Sequence, residues 1–152
     1  MRNMRATIII PVYNVEAYLR RCLDSVLQQG IDDYEVICVN DCSPDQSQEI
    51  LDEYEAKYAP RLKVMVNEEN MGQGQSRMRS LQQAQGDFIF FVDSDDYIAS
   101  DYLEQFLAYT AYHMVVAGYT RDVAGKLTPH QVMDSPWTLV CYPVACCKAY
   151  RR

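Results

Sequence analysis

Residues 86–96 read G-D-F-I-F-F-V-D-S-D-D. Five apolar residues, 88–92, run without a break into three carboxylates, Asp93, Asp95 and Asp96. A strand with one wet face alternates apolar and polar residues. A continuous apolar run of this length belongs to a strand covered on both faces, as in parallel sheets. The same signature occurs upstream in A-T-I-I-I-P-V (6–12), Y-E-V-I-C-V-N (34–40) and L-K-V-M-V (62–66), and downstream in M-V-V-A (114–117).

Helical stretches separate these runs. Val15, Leu19, Cys22, Leu23, Val26 and Leu27 recur at the spacing of one helix face, with Gly30 as the exit. Ile50, Leu51, Tyr54 and Tyr58 mark a second helix, which Pro60 ends. Its expected cap is Ser43, with Pro44 in the first turn and Asp45 near the positive end. A third helix is expected over 75–85, ended by Gly86, and a fourth from Ser100-Asp101, with Leu103, Phe106 and Leu107 facing inward. Strands alternating with helices imply an α/β fold: a mostly parallel sheet with helices on both faces. Residues 120–152 are less regular. A turn is expected around Gly125, and Pro129, Pro136 and Pro143 interrupt what reads as the start of an unfinished layer.

Composition narrows the class. At 152 residues the chain is one domain long, enough to bury roughly 70% of its extended surface. No apolar run approaches the roughly 20 residues of a membrane span. The opening Met1-Arg2-Asn3-Met4-Arg5 lacks a signal-peptide pattern. The expected location is the cytoplasm, with peripheral attachment at the inner face of the membrane as the closest approach to lipid. With 14 basic and 21 acidic residues the net charge is −7, and the basic residues form no stripe, so no nucleic-acid partner is expected. The six cysteines read as reduced thiols, because Cys22 lies on a helix's apolar face and Cys38 inside a strand. The absence of any C-x-x-C, and only His113 and His130 as histidines, speak against zinc.

In an open α/β sheet, ligands bind beyond the carboxyl ends of the strands. Three polar clusters stand there: P-V-Y-N (11–14), Asn40-Asp41 with Asp45, and Asp93-Ser94-Asp95-Asp96. Two carboxylates about 5 Å apart repel by about 3 kcal/mol at an effective dielectric near 20. The last cluster therefore calls for a cation or a raised pKa. Hard carboxylate oxygens suit Mg²⁺ or Mn²⁺, and such an ion shared with phosphate oxygens would stabilise a diphosphate leaving group. Plainer readings exist for each cluster. The acids can be a solvated turn before a helix, Asp41 a loop cap, Arg77 a surface helix residue, and Gly72 and Gly74 turn formers. The twelve tyrosines are assigned to packing and His113 to structure, while Trp137 alone is weak evidence for a sugar platform.

Four segments, I-I-I-P-V-Y-N (8–14), V-N-D-C-S-P-D (39–45), N-M-G-Q-G-Q-S-R-M-R (70–79) and G-D-F-I-F-F-V-D-S-D-D (86–96), occur in this order. Together they resemble the N-terminal, donor-binding part of glycosyltransferase family 2, which has the Rossmann-like GT-A fold. The family counterparts look like PVYN, VDDGSxD, NxGxxxARN and GxyixfxDsDD. The resemblance implies that Pro11 and Tyr13 line a nucleotide pocket, that Asp41 contacts the base, and that Arg77 lies near the nucleotide. It implies that Asp93 and Asp95 form the DxD pair, with Asp95 the direct ligand of Mn²⁺ or Mg²⁺. The implied reaction is sugar transfer from a nucleotide-diphosphate donor to an acceptor hydroxyl, with inversion, in glycan or cell-surface polysaccharide synthesis. The acceptor would be a saccharide or a lipid-linked acceptor.

This chain departs from the pattern in places. Ser76, Met78 and Ser80 stand where the family has Ala, Asn and Gly, and Cys42 stands where Gly is usual. An inverting transfer needs a general base. No Glu follows Glu104, and the only later aspartates are Asp122 and Asp134, neither in a segment resembling the family's acidic motif. The expectation is therefore a donor-binding core over 1–120 and the start of an acceptor-side region over 121–152. That region would be cut short and open to self-association as a homodimer, with the catalytic base lying outside the chain. The alternative reading is a non-catalytic nucleotide-sugar-binding module. A receiver-like domain is disfavoured, because no Lys lies between Lys63 and Lys126.

Overall fold

The computed structural model describes residues 4–130 and 148–151. Four strands, β1 (Ala6–Val12), β2 (Tyr34–Asn40), β3 (Leu62–Val66) and β4 (Phe88–Phe91), are joined by helices α1 (Glu16–Leu27), α2 (Ser47–Tyr58) and α3 (Gln73–Leu81). Helix α4 (Tyr102–Leu107) follows, then β5 (Met114–Val116), a hairpin of β6 (Tyr119–Val123) and β7 (Lys126–His130), and β8 (Lys148–Arg151). The central sheet has the order β3-β2-β1-β4-β8-β5. β1 pairs in parallel with both β2 and β4, and β2 with β3. The sheet is thus mostly parallel, as expected, and among the described residues one strand, β8, lies antiparallel between β4 and β5.

Every residue of β1 and β2 is buried, which is what their unbroken apolar runs require. One face packs Ile8, Ile10, Val36, Cys38 and Phe90 against Leu19, Leu23 and Val26 of α1, Leu51 of α2, and Leu103 and Phe106 of α4. The other face gathers Ile9, Ile37, Ala84 and Ile89, with Leu81, Met65 and Phe91 partly buried around them. Alternation along each strand sends neighbouring residues into opposite layers. A fully buried Ile or Leu contributes about 1.5–3 kcal/mol, so these two layers hold the scaffold on which the site is built.

The chain winds outward from β1 through β2 to β3, then returns to β4 on the other side of β1. The reversal places a switch point between β1 and β4. There the ladders part: β1–β4 pairing ends at Ile9↔Phe91, while β1–β2 pairing continues to Val12↔Asn40. Pro11 has no N–H to donate and stands where β4 has already ended, so it disturbs no ladder on that side.

Several local expectations are corrected. Ser43 does not cap α2, which begins at Ser47 with Gln46 at its cap position. Instead the Ser43 hydroxyl accepts from Asn14 N at 2.7 Å and donates to Asp45 Oδ1 at 2.6 Å, tying two loops together. α1 ends at Leu27, ahead of Gly30, and α3 covers Gln73–Leu81 because Gln83 N and Ala84 N turn back onto Ser80 O. Residues 121–152 are divided. β6 and β7 form a two-stranded sheet with a tight turn at Ala124-Gly125, both at positive φ as such hairpins demand. Lys148–Arg151, read as part of an unfinished layer, instead enters the central sheet, where the Tyr150 ring meets Phe91 edge-on at 5.9 Å. Cys22 and Cys38 are buried free thiols and Cys42 is an exposed one. Cys141, Cys146, Cys147, Asp134 and Trp137 lie outside the described residues. No helix among the described residues is long and apolar enough to cross a membrane.

Candidate functional site

At the switch point a crevice of about 300 Å³ is lined by Pro11, Val12, Tyr13 and Val15 after β1, Asp41 after β2, Asn70, Gly72 and Gln73 before and within α3, and Ser94 and Asp95 after β4. Four loops from distant parts of the chain therefore meet at one place. A larger open groove of about 430 Å³ runs between α1 and α2, lined mainly by charged side chains such as Glu16, Arg20, Glu49 and Glu53. It lies away from the strand ends, and Arg20 there is already paired with Glu53 at 2.7 Å.

Asp41 is 3% exposed, and its carboxylate is engaged inside the chain. Oδ1 accepts from Asn67 Nδ2 at 2.7 Å and from Met71 N at 2.9 Å, and Oδ2 accepts from Gly72 N at 2.7 Å. Burial pushes the Asp41 carboxyl up, but these bonds outweigh it and hold the pKa below the usual carboxylate value. The 70–72 turn is thus shaped by Asp41, with Gly72 at φ 81° supplying the left-handed position. Asn67 is buried too. Its amide also donates to Ser76 Oγ at 3.0 Å, and its carbonyl accepts from Arg79.

The acidic loop is arranged differently. Asp93 accepts from Arg77 at 2.5 Å, and the Arg77 guanidinium lies 5.5 Å from the Phe91 ring centroid with its Nε buried and unbonded. Asp95 is exposed and faces the crevice. Partial desolvation, and then the charges of Asp95 and Asp93, raise the Asp96 carboxyl above its usual value. Beneath the loop, Cys22 is kept a neutral thiol by burial and by the same three acids. Cys42, where the resemblance expects Gly, adopts φ 58°, the region that favours glycine.

A sequence profile described as "Glycosyl transferase family 2" matches residues 7–145. The chain belongs to glycosyltransferase family 2. It is 36% identical over 130 residues to the poly(ribitol-phosphate) beta-glucosyltransferase of Bacillus spizizenii (strain W23), covering 83% of this chain and 20% of that one. It is 40% identical over 113 residues to the poly(ribitol-phosphate) beta-N-acetylglucosaminyltransferase TarS of Staphylococcus aureus (strain Mu50), covering 72% of this chain and 19% of that one. The chain thus spans about a fifth of the length of each of these relatives. The crystal structure of S. aureus TarS 1–349 with UDP matches at a TM-score of 0.81 and 32% identity, over 97% of this chain and 47% of that one. The complex of TarS 1–349 with UDP-GlcNAc matches at the same TM-score of 0.81. GalNAc-T7 with UDP, GalNAc and Mn²⁺ matches at 0.62 and 25% identity, over 69% of this chain and 20% of that one. The fold is of the GT-A type.

Of the residues singled out from this family-2 sequence, Pro11, Tyr13, Asp41 and Asp95 line one crevice, whereas Arg77 and Asp93 are paired beside it. Asn67, Asn70 and Gln73 were not foreseen as part of the site. Asn67 carried a readable signal, a polar residue directly after an apolar strand at its carboxyl end. Asn70 opens the 70–79 segment that resembles the family's NxGxxxARN, and Gln73 carried no signal beyond a turn-like composition. Among the described residues no group of three or more His, Cys, Asp or Glu is arranged to hold a metal ion. The chain offers Asp95 and, on release from Arg77, Asp93. One or two carboxylates completed by phosphate oxygens is how Mg²⁺-like ions are commonly held. The donor set therefore fits a cation that arrives with a diphosphate.

Proposed function

We propose that residues 1–120 bind a nucleoside-diphosphate sugar in the β1/β4 crevice, and that the protein transfers this sugar to an acceptor hydroxyl with inversion. Residues 121–152 would open the acceptor side. The observation that carries this reading is the convergence of Pro11, Tyr13, Asp41, Gly72 and Asp95 on one crevice at the switch point. The likeness to TarS, solved with UDP and with UDP-GlcNAc, supports it.

In this reading Pro11 and the half-exposed Tyr13 ring form one wall for the nucleotide. Asp41 holds the 70–72 turn against it and presents its remaining acceptor capacity to the base. Arg77 keeps a cationic group beside the acidic loop and limits its self-repulsion. Mn²⁺ or Mg²⁺ held by Asp95 and Asp93 together with phosphate oxygens would supply charge neutralisation for the departing diphosphate. The acceptor, a saccharide or a lipid-linked molecule, must lose a proton as it attacks. None of the residues assigned here does that work, so the base is proposed to lie outside them.

The test is a thermal-shift panel of UDP, GDP, dTDP and CDP, each with Mn²⁺, with Mg²⁺ and with chelator. A ligand at 100 times its Kd stabilises by about 2.7 kcal/mol. The expected result is stabilisation by UDP that chelator sharply weakens. No shift with any nucleotide would overturn the reading. Binding without sugar transfer to any acceptor would favour a nucleotide-sugar-binding module instead.

A further inference from the structure

Residues 93–101 carry the acidic cluster without regular secondary structure. Three carboxylates in such a loop repel one another, and an untethered segment would relieve that repulsion by splaying. Besides the Arg77–Asp93 pair at the loop's start, what opposes this is a line of contacts from α1 and the turn after it. Cys22 Sγ approaches Asp93 O at 3.7 Å. Ser25 Oγ accepts from Ile98 N at 3.1 Å while donating to Cys22 O at 2.8 Å. Gln29 Nε2 donates to Ala99 O at 2.8 Å and to Ser25 O at 3.0 Å, and its Oε1 accepts from Leu103 N at 3.0 Å. Gly30 N donates to Ser100 O at 3.3 Å. The Arg21 guanidinium stacks on the Tyr97 ring at 3.6 Å.

The spacing explains the alignment. Cys22 and Ser25, three apart on α1, stand one above the other on one helix face, and Gln29, in the turn just past the helix end at Leu27, continues the line through its bond to Ser25 O. Gln29 is 8% exposed and uses three of its four hydrogen-bonding positions. It also does a job that local sequence leaves undone. Asp101 at the cap position of α4 makes no side-chain cap bond, and the carbonyl of Gln29 satisfies Leu103 N in the first turn instead. The downstream arm of the acidic loop is therefore fastened to α1 at both its start and its entry into α4.

We propose that Ser25 and Gln29 are positioning residues, which hold the 93–103 segment so that Asp95 stays in the crevice wall at the geometry a diphosphate-bound cation needs. This rests on the metal role proposed for Asp95. Neither residue lines the crevice, so neither touches the nucleotide.

The experiment measures two quantities in the wild type, Gln29→Met, Ser25→Ala and Ser25→Thr. The first is the Mn²⁺ concentration that half-saturates UDP binding, with UDP affinity in chelator as its control. The second is hydrogen exchange at the amides of Ile98 and Leu103. In Gln29→Met the Mn²⁺ requirement is expected to rise roughly 10-fold, the scale on which outer-shell supports act on metal sites. Affinity in chelator is expected to stay within twofold, and exchange at Leu103 to quicken. Ser25→Ala, the gentler change, is expected to show the same pattern to a smaller degree, with exchange quickened at Ile98, and Ser25→Thr to restore it. An unchanged Mn²⁺ requirement in both Gln29→Met and Ser25→Ala would overturn the proposal while leaving the metal site standing. An equal loss of binding with and without Mn²⁺ would overturn it in favour of a general packing role. A wild type whose UDP binding ignores Mn²⁺ would overturn both this proposal and the metal role of Asp95.

Discussion

At the amino ends of the strands Glu35 is 1% exposed, yet each of its oxygens has a donor. Thr7 Oγ1 lies at 2.9 Å, Gln85 N at 2.6 Å and Lys63 Nζ at 2.8 Å. Thr7 in turn accepts from Gly86 N at 2.9 Å, closing a network around the turn into β4. At the carboxyl ends of the same strands, Asp95 is exposed at a crevice and Asp96 stands under the repulsion of Asp95 and Asp93. Glu35, buried with both oxygens paired within the chain and away from the crevice, serves the fold. An acid left crowded by like charge at a crevice is poised for something from outside. The two ends of one sheet thus separate stability from binding, and mutations can test whether the separation holds.

The largest effect is expected at the amino end. A Cβ on Gly86 would lie 2.4 Å from Ala6 C and 2.5 Å from Thr7 N. Both are backbone atoms of a buried central strand and cannot move aside. Gly86→Ala should destabilise by about 3 kcal/mol or more, read as a large drop in the urea midpoint or loss of folded protein. Next comes Glu35→Gln, which puts an amide group among three donors that need acceptors. It should lose about 1–3 kcal/mol. Little of this comes from Lys63, which is 41% exposed and can turn to water. The buried Thr7 hydroxyl and the Gln85 amide have less escape. If Glu35→Gln left stability unchanged but weakened UDP binding, the division between the two ends would be wrong.

The scaffold was legible in the sequence because its signal is strong and local. Residues 6–12 and 34–40 are continuous apolar runs, and burial on both faces is what such runs mean. The acidic cluster was legible for the same reason: three aspartates at the end of a buried strand violate the pattern around them. β8 was not legible. Lys148–Arg151 follows prolines and mixed composition, and its place between β4 and β5 depends on a long-range pairing that no local period announces. The role of Ser43 was misread because its partners, Asn14 N and Asp45, belong partly to another loop. Asp41 was readable as a site residue, but its grip on Met71 N and Gly72 N spans some thirty residues and carries no spacing signal.

At the carboxyl end, Asp95→Ala should leave the urea midpoint within about 0.5 kcal/mol of wild type, as exposed substitutions do. It should remove the Mn²⁺ dependence of UDP binding, seen by titration with and without chelator. Loss of stability with Mn²⁺ dependence intact would make Asp95 a structural residue and erase the contrast with Glu35.

Asp45 gives the finest test, because it lies at the ligand end but is bonded like a residue of the fold. Its Oδ2 accepts from Glu16 N at 2.8 Å and its Oδ1 from Ser43 Oγ at 2.6 Å and Ser47 N at 3.1 Å. It thereby caps the starts of α1 and α2 at once, while Glu16 returns a bond to Gln46 N at 2.7 Å. Burial alone would push the Asp45 carboxyl up, and these bonds instead bring it down to about 2. The unfolded chain binds the proton near pH 3.9, so the folded state prefers the carboxylate. The stabilisation is therefore complete above about pH 4 and is lost as the pH falls toward about 2. Asp45→Asn should lower stability by about 1 kcal/mol at pH 6, and the gap to wild type should close progressively below pH 4 in urea titrations. Its Mn²⁺ requirement for UDP should stay that of wild type. A pH-independent gap would mean that the charge of Asp45 is not what staples the two helices. A changed Mn²⁺ requirement would mean that position along the strands, rather than completeness of hydrogen bonding, decides which acids serve the ligand.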